Sequence, residues 1–193
     1  DKVVEQNSII NNNVIWMDKY KSSIFESGKV TGRANIELSC EFCIKLAEAF
    51  ASILPMGSKV YLSRDYYKNS RMLKHAFASG LFSAGINVVD ASTIPSVVMR
   101  YNLSTQADII AGVHFRQSAK NQEEIEILFY TNEGFHIDIN LSKNIEKIFF
   151  RENFRRVKSD QIGELDKDTK TNTRYINAIR EKIDTNLFKN RDI

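Results

Sequence analysis

The chain has 193 residues, of which 42% are hydrophobic and 26% charged, with a formal net charge of +3. This composition is typical of a globular domain, and 8 Gly with 2 Pro excludes a collagen-like or low-complexity chain. No stretch approaches the roughly 18–20 apolar residues of a membrane helix, and no apolar N-terminal segment follows a basic start. We therefore expect neither a membrane partner nor a signal peptide.

The first 24 residues show an unusual period. Apolar residues recur every six positions at Val3, Ile9 and Ile15, and Asn and Ser fill the gaps. A hexapeptide β-helix has this period, because one side chain of each face points inward in every coil. Residues 1–24 therefore predict the end of a hexapeptide-repeat β-helix, and a single edge strand is the alternative.

From residue 39 onward the pattern predicts alternating helices and strands. Ser39 is a candidate helix N-cap, and Gly85 is a candidate helix end. The predicted elements are a helix from 39 to 55, a strand over 60–63, a helix over 72–84, a strand over 86–89, a helix over 95–106, and strands over 109–115 and 125–130. Strands separated by helices of this length predict an α/β fold with three α/β/α layers and a mixed, mostly parallel sheet.

The last 53 residues predict a different organisation. A charged helix is expected over 143–156, a polar link over 163–173 and a final helix over 175–183. We expect three units: residues 1–24, a domain over 25–140, and a connecting helix with the start of a truncated second domain over 141–193.

The basic charge is concentrated in this last region, where 13 Lys/Arg stand against 9 Asp/Glu. Such an excess suits either a solvated helical surface or contact with nucleic acid or a sugar phosphate. The aromatic residues among these charges, Phe149, Phe150 and Phe154, have helical spacing, which fits burial better than base stacking. We therefore expect no nucleic-acid partner.

The two cysteines form the sequence Cys40-Glu-Phe-Cys43. Such a pair is found in redox motifs and in half of a zinc site, but the chain has no further cysteine and its three histidines lack ligand spacing. A packing role at the start of the first helix is the other interpretation, and reduced thiols predict a cytoplasmic location.

Polar residues at the carboxyl ends of two predicted strands form the candidate site. Arg64 and Asp65 follow one strand, and Arg116, Ser118 and Lys120 follow another. Ligands of parallel α/β sheets bind at this edge, and guanidinium groups bind phosphate oxygens. A phosphorylated ligand is therefore expected, with Ser118 able to accept a phosphoryl group; exposed loop residues without a ligand are the alternative.

The same residues resemble the α-D-phosphohexomutase superfamily of phosphoglucomutases and phosphomannomutases. The segment Val60-Tyr-Leu-Ser-Arg-Asp65 is similar to the family's Gly-Arg-Asp strand, and Ile94-Pro-Ser96 stands where the family has a Pro-Thr-Pro helix start. Ala111-Gly-Val-His-Phe-Arg-Gln-Ser118 stands at the family's active-site loop. The resemblance implies that Ser118 is the catalytic phosphoryl carrier and that Arg64, Asp65, Arg116 and Lys120 bind the substrate, a hexose phosphate or bisphosphate.

The chain departs from the family pattern at several positions. The His and Asn that follow the family's serine are Ala119 and Lys120, and an arginine of the family's early loop is Thr31. The metal, sugar and phosphate loops belong to later domains. The resemblance therefore implies Mg²⁺ in the intact parent protein but none bound by this stretch, which we expect to be inactive alone.

Two functions follow from the resemblance. The first is a phosphohexomutase-like domain, part of an isomerase or transferase that moves a phosphoryl group between the 6- and 1-positions of a hexose. The alternative is a catalytically degenerate module that binds a sugar phosphate or acts as a scaffold that holds an oligomer together. The hexapeptide-like start resembles a fusion with a mannose-1-phosphate guanylyltransferase, a nucleotidyltransferase, which implies a nucleotide partner in the parent chain.

Overall fold

A computed structural model describes residues 19–21 and 23–183. The β-helix predicted for the start of the chain falls on residues outside this description, apart from the last few. Within the described part, no helix combines the length and apolarity that crossing a membrane requires.

Six strands form one mixed sheet in the order β1-β5-β4-β2-β3-β6. Their bounds are Lys29–Arg33 (β1), Lys59–Arg64 (β2), Asn87–Thr93 (β3), Ile109–Gln117 (β4), Glu124–Thr131 (β5) and Leu165–Lys167 (β6). Strands β4, β2, β3 and β6 run parallel, whereas β5 pairs antiparallel with β4, and β1 pairs antiparallel with β5 at the edge. The predicted mixed, mostly parallel sheet is confirmed.

Within residues 23–183, five α-helices cover the two faces of this sheet. Their bounds are Cys40–Ser52 (α1), Lys68–Ser83 (α2), Ser96–Thr105 (α3), Ile139–Arg151 (α4) and Thr171–Lys182 (α5). Helices α1, α2 and α4 pack on one face, and α3 with part of α5 packs on the other. The architecture is thus three layers, as the alternating pattern predicts.

The larger core lies under α1, α2 and α4 and is rich in aromatic rings. Phe77 of α2 makes edge contacts with Phe115 of β4 and Phe129 of β5, at centroid distances of 5.6 and 5.8 Å. Such pairs contribute about 0.5–1.5 kcal/mol beyond the burial of their area. Helices α1 and α2 also approach closely at Gly80, where an added Cβ would lie 2.5 Å from the carbonyl oxygen of Ile44.

The smaller core, under α3, sets the position of the candidate site. Val98, Met99 and Leu103 of α3 are buried against Tyr61 of β2. Gly112 of β4 faces this helix, because an added Cβ would lie 2.5 Å from the terminal methyl carbon of Met99. This close approach fixes the first turn of α3 beside the carboxyl ends of β2 and β4.

Arg155 connects the segment after α4 to helices α1 and α2 through hydrogen bonds. Its guanidinium donates hydrogen bonds to the carbonyl oxygens of Ala51, Leu54 and Ala84, at 2.7–2.9 Å. Carbonyls at helix C-termini lack partners within the helix, so this side chain satisfies groups at the ends of both α1 and α2.

Several local predictions differ from the structure. Strand β1 lies within the predicted early loop, and β6 lies within the predicted polar link. Helix α2 begins at Lys68 rather than at residue 72, and β3 ends at Thr93 rather than at residue 89. Helix α4 begins at Ile139 rather than at residue 143, because Asp138 accepts a hydrogen bond from the Leu141 N–H, and it ends at Arg151. Helix α5 begins at Thr171 rather than at residue 175.

The C-terminal part of the described chain contacts the sheet through a polar cluster. Tyr61 of β2 donates a hydrogen bond to Asp168 at 2.5 Å, and Asp168 also forms an ion pair with Arg174 of α5. The Arg174 guanidinium donates to Asn102 of α3 at 2.7 Å. The division of the chain at residues 24 and 140 stays a prediction.

Cys43 is fully buried in the larger core, and both cysteines are free thiols. Burial raises the pKa of the Cys43 thiol well above its usual range, with a smaller contribution from Cys40. A thiol held in its neutral form is a poor nucleophile and a poor metal ligand, so the geometry favours the packing role.

Candidate functional site

A cavity of about 510 Å³ opens at the carboxyl ends of β2, β3 and β4. Its walls are formed by the β2–α2 turn, the β3–α3 connection and the last residues of β4. The lining residues are Asp65, Tyr66, Tyr67, Thr93, Ile94, Pro95, Ser96, His114, Arg116 and Gln117. Cavities of 330–350 Å³ lie on other faces, away from this edge of the sheet.

Asp65 joins two walls of the cavity. One carboxylate oxygen accepts a hydrogen bond from the Tyr67 N–H at 3.0 Å, and the other accepts from the Gln117 N–H at 2.5 Å. The Asp65 N–H donates to the Phe115 carbonyl at 2.9 Å. The acidic side chain therefore holds the end of β4 against the start of α2.

Arg116 supplies positive charge to the opposite wall. Its Nε and Nη2 lie 2.8 and 2.7 Å from one oxygen of Glu126, whose other oxygen accepts from Lys29 at 2.6 Å. Burial raises the pKa of Glu126, but the hydrogen bonds from Lys29 and Arg116 outweigh it and hold the pKa below its usual value. Two cations share one carboxylate, so a positive charge remains, and the Arg116 side chain is 40% exposed.

His114 lies behind Arg116 on the same face of β4, only 2% exposed. Its Nδ1 is 2.7 Å from the Ser63 hydroxyl, which donates to the sulfur of Met99 at 2.9 Å. The pKa of His114 is lowered to about 4, chiefly by burial, while Asp65 raises the pKa and Arg116 lowers it by smaller amounts. The imidazole is therefore neutral at physiological pH.

The first turn of α3 and two tyrosines complete the cavity. Pro95 is the N-cap residue, and the N–H groups of Ser96 and Val97 precede the first intrahelical hydrogen bond. Free N–H groups and the helix dipole favour an anion at this position. Tyr66 and Tyr67 are 89% and 51% exposed at the rim, where their rings offer flat apolar surfaces.

Among the residues named from sequence, the structure brings Asp65 and Arg116 together in the cavity wall. Arg64 is half-buried and donates to the carbonyl of Asp65 at 2.6 Å. Ser118 follows β4 directly but is only 5% exposed, and its Oγ accepts from the Lys120 N–H at 3.3 Å. Lys120 is exposed in the following turn. Arg64, Ser118 and Lys120 are not lining residues, and their roles stay predictions.

The described residues do not fit a resident metal ion. Over 19–21 and 23–183, no group of three or more His, Cys, Asp and Glu side chains is placed to hold one. We therefore derive no step through Mg²⁺ for this chain, and the Mg²⁺ expected in the intact parent stays a prediction.

Sequence reasoning missed His114, the two rim tyrosines and the start of α3 as parts of the site. One signal was available for His114, because residues 114 and 116 of a strand share a face. The spacing between histidines indicates metal sites, and it does not identify a single imidazole that acts alone.

Residues 22–156 match the family model described as phosphoglucomutase/phosphomannomutase, alpha/beta/alpha domain I. This range spans β1 through α4 and includes every residue that lines the cavity.

Two curated relatives show the same likeness. The chain is 30% identical over 172 residues to a phosphoglucomutase/phosphomannomutase of Thermococcus kodakarensis, covering 87% of this chain and 37% of the relative. It is 28% identical over 166 residues to a phosphoglucosamine mutase of Dictyoglomus turgidum, covering 84% of this chain and 37% of that relative. The chain thus spans little more than a third of these relatives.

A solved structure confirms the fold. A phosphoglucomutase/phosphomannomutase family protein from Burkholderia thailandensis superposes with a TM-score of 0.72 at 20% identity, covering 83% of this chain and 36% of that one.

Proposed function

The chain belongs to the phosphoglucomutase/phosphomannomutase family, and on that premise we propose that the cavity beside Arg116 binds a hexose phosphate. One observation carries the proposal: positive charge, free helix N–H groups and exposed aromatic rings line a single cavity at the carboxyl edge of the parallel strands. This edge is where ligands of open α/β sheets bind.

Each wall has a distinct task in this proposal. The phosphate lies between the exposed edge of Arg116 and the first turn of α3, where charge-assisted hydrogen bonds reach its oxygens. The sugar ring packs on Tyr66 and Tyr67. Asp65 accepts two backbone N–H groups already, so its task is to position the loops rather than to contact the phosphate.

Within the whole protein, this domain serves a phosphohexomutase-like reaction. In that reaction the Ser118 hydroxyl would attack a phosphoryl group, an Oγ–P bond would replace the sugar O–P bond, and the hydroxyl proton would pass to the leaving sugar oxygen. Because the Ser118 Oγ is buried and accepts from the Lys120 N–H, this step requires residues 119–123 to move. The geometry therefore favours binding of a hexose phosphate as the function of this chain. Phosphoryl transfer through Ser118 is the second candidate function.

Binding is tested by calorimetric titration of the 193-residue chain with glucose 6-phosphate. Replacing Arg116 with Gln removes the charge while Lys29 still pairs with Glu126, and we expect about 10- to 100-fold weaker binding, as for a lost charged hydrogen bond. The matched control is K158Q, because Lys158 is exposed in the segment after α4. Equal affinity of R116Q and K158Q would contradict the proposal.

The carrier role is tested separately with glucose 1,6-bisphosphate. Mass spectrometry of the treated chain locates any new phosphate, and S118A is the control. Phosphate at Ser118 would assign the transfer step to this residue. Phosphate elsewhere, or none on the intact parent protein, would leave the domain a binding module.

Three expectations about the parent protein stay predictions. The nucleotidyltransferase fusion, with its nucleotide partner, is tested by reading the upstream sequence. The cytoplasmic location and an oligomeric state are tested by fractionation and by light scattering of the intact protein.

A further inference from the structure

His114 carries a polar atom that the rest of the structure does not use. The side chain is 2% exposed yet lines the cavity, and its Nδ1 is engaged by Ser63. Across the described ranges 19–21 and 23–183, Nε2 has no hydrogen-bond partner. The Nε2 atom is not among the buried side-chain atoms that lack a partner, so it is open to the cavity, where a ligand atom can reach it.

The contacts of the Ser63 hydroxyl indicate which nitrogen of His114 carries the proton. The Ser63 hydroxyl has one proton, and it lies 2.9 Å from the sulfur of Met99, which can only accept. The hydroxyl therefore donates to sulfur and accepts from the imidazole, which places the ring proton on Nδ1. Nε2 then presents a lone pair, and the imidazole acts as an acceptor toward the cavity.

Because Nε2 accepts a hydrogen bond, only a ligand group that carries a proton to donate can bond to it. An ionised phosphate offers only acceptor oxygens, so it is excluded from Nε2 and belongs with Arg116. A sugar hydroxyl carries a proton to donate, and the cavity of about 510 Å³ holds a hexose beside its phosphate. His114 and Arg116 lie two residues apart on one strand, so both reach a single ligand.

We propose that His114 is a specificity-determining residue of the cavity, whose Nε2 accepts a hydrogen bond from a hydroxyl of the bound hexose phosphate. This inference rests on the proposed function and adds to it the means by which the site distinguishes a sugar phosphate from phosphate alone. Ser63 and Met99 are positioning residues, because they act on the ligand only through the imidazole.

The test uses two substitutions that separate the two ring nitrogens. In H114N, the side-chain amide reproduces the Nδ1 donor to Ser63 and leaves nothing at Nε2. In H114Q, the longer side chain places an amide oxygen near the Nε2 position. Calorimetric titration of each variant uses two probes, glucose 6-phosphate and methyl phosphate, and the second of these has no sugar hydroxyl.

We expect H114N to bind glucose 6-phosphate roughly 3- to 10-fold more weakly than the unsubstituted chain, as for one lost neutral hydrogen bond. Methyl phosphate should bind both chains equally, and H114Q should recover part of the loss. Equal binding of glucose 6-phosphate to H114N and the unsubstituted chain would overturn the inference while leaving the proposed function intact. Failure of glucose 6-phosphate to bind any of these chains would overturn both.

A second measurement needs no ligand. Nitrogen-15 NMR of the labelled chain distinguishes a protonated ring nitrogen from one with a lone pair. We expect His114 to show its proton on Nδ1 at neutral pH, and S63A to redistribute that proton between the two nitrogens. A protonated Nε2 in the unsubstituted chain would overturn the inference, even if H114N weakened binding.

Discussion

Burial of His114 should make the free energy of unfolding depend on pH between 7 and 5. The pKa of this imidazole falls from 6.5 to about 4 in the folded chain, chiefly because of burial. A lowered pKa means that the unfolded chain takes up the proton more readily. The stabilisation is therefore complete above pH 6.5 and is lost as pH falls toward 4.

The size of the effect follows from the two pKa values. Each unit of difference corresponds to about 1.4 kcal/mol, so the full contribution is about 3.5 kcal/mol, of which about 2 kcal/mol is lost between pH 7 and pH 5. Asp65 and Arg116 are the charged groups that act on the ring, in opposite directions, and burial exceeds both.

Urea unfolding of the unsubstituted chain and of H114Q at pH 7, 6 and 5 measures this contribution. Other titrating groups are common to both chains and cancel in the difference. The unsubstituted chain should lose about 2 kcal/mol more than H114Q over this range. Parallel loss of stability in both chains would refute the reasoning, and H114N provides a second reference if H114Q unfolds too easily to measure.

Three further substitutions test the supports of the site and the core. D65N replaces one carboxylate oxygen with an N–H₂ group, which cannot accept from the backbone N–H of Tyr67 or Gln117. About 1–3 kcal/mol of the free energy of unfolding should be lost, and hydrogen exchange should become faster at one of those two amides. Unchanged exchange at both amides would contradict the role of Asp65 in holding the loops. R155M removes the side-chain donor from the carbonyls of Ala51, Leu54 and Ala84, of which that of Ala51 keeps the Leu54 N–H, and should cost a similar amount in urea unfolding. A loss below about 0.5 kcal/mol would show that water replaces the guanidinium. G80A forces α1 and α2 apart and should cost about 1–3 kcal/mol, whereas S79A on the exposed side of the same turn should cost little.

The alternating elements of the central fold were predictable because their signals are local. Helix α1 carries a capping serine whose side chain accepts from the Phe42 N–H, and α2 is followed by Gly85 with a φ of 74°. Strands β2 and β4 are buried on both faces, and their apolar runs are long enough to identify. These features depend on residues within a few positions of each other, which a sequence displays directly.

The two edge strands were not predictable for the opposite reason. All three residues of β6 are exposed, so no alternation of apolar and polar residues identifies it, and its pairing with β3 is nonlocal. Strand β1 has only five residues and includes Gly32, which packs beside Tyr20. Both strands form because an existing sheet offers them an edge.

The edge of the sheet at which the cavity opens was predictable, but the full set of residues that line the cavity was not. Positive charge at strand ends pointed to the edge of the sheet at which the cavity opens, and Asp65 and Arg116 line that cavity. The roles of Ser118 and Lys120 depend on the path of the turn after β4, which the residue types do not determine. The role of His114 as a hydrogen-bond acceptor depends on Ser63 and Met99, which belong to two other elements.

The most direct measurement of the central claim is amide NMR of the labelled chain during titration with glucose 6-phosphate. The account predicts saturable shifts concentrated in the β2–α2 turn, the first turn of α3 and the end of β4, around Tyr66, Ser96 and Arg116. Saturable shifts confined to other faces of the molecule, or none at all, would contradict it.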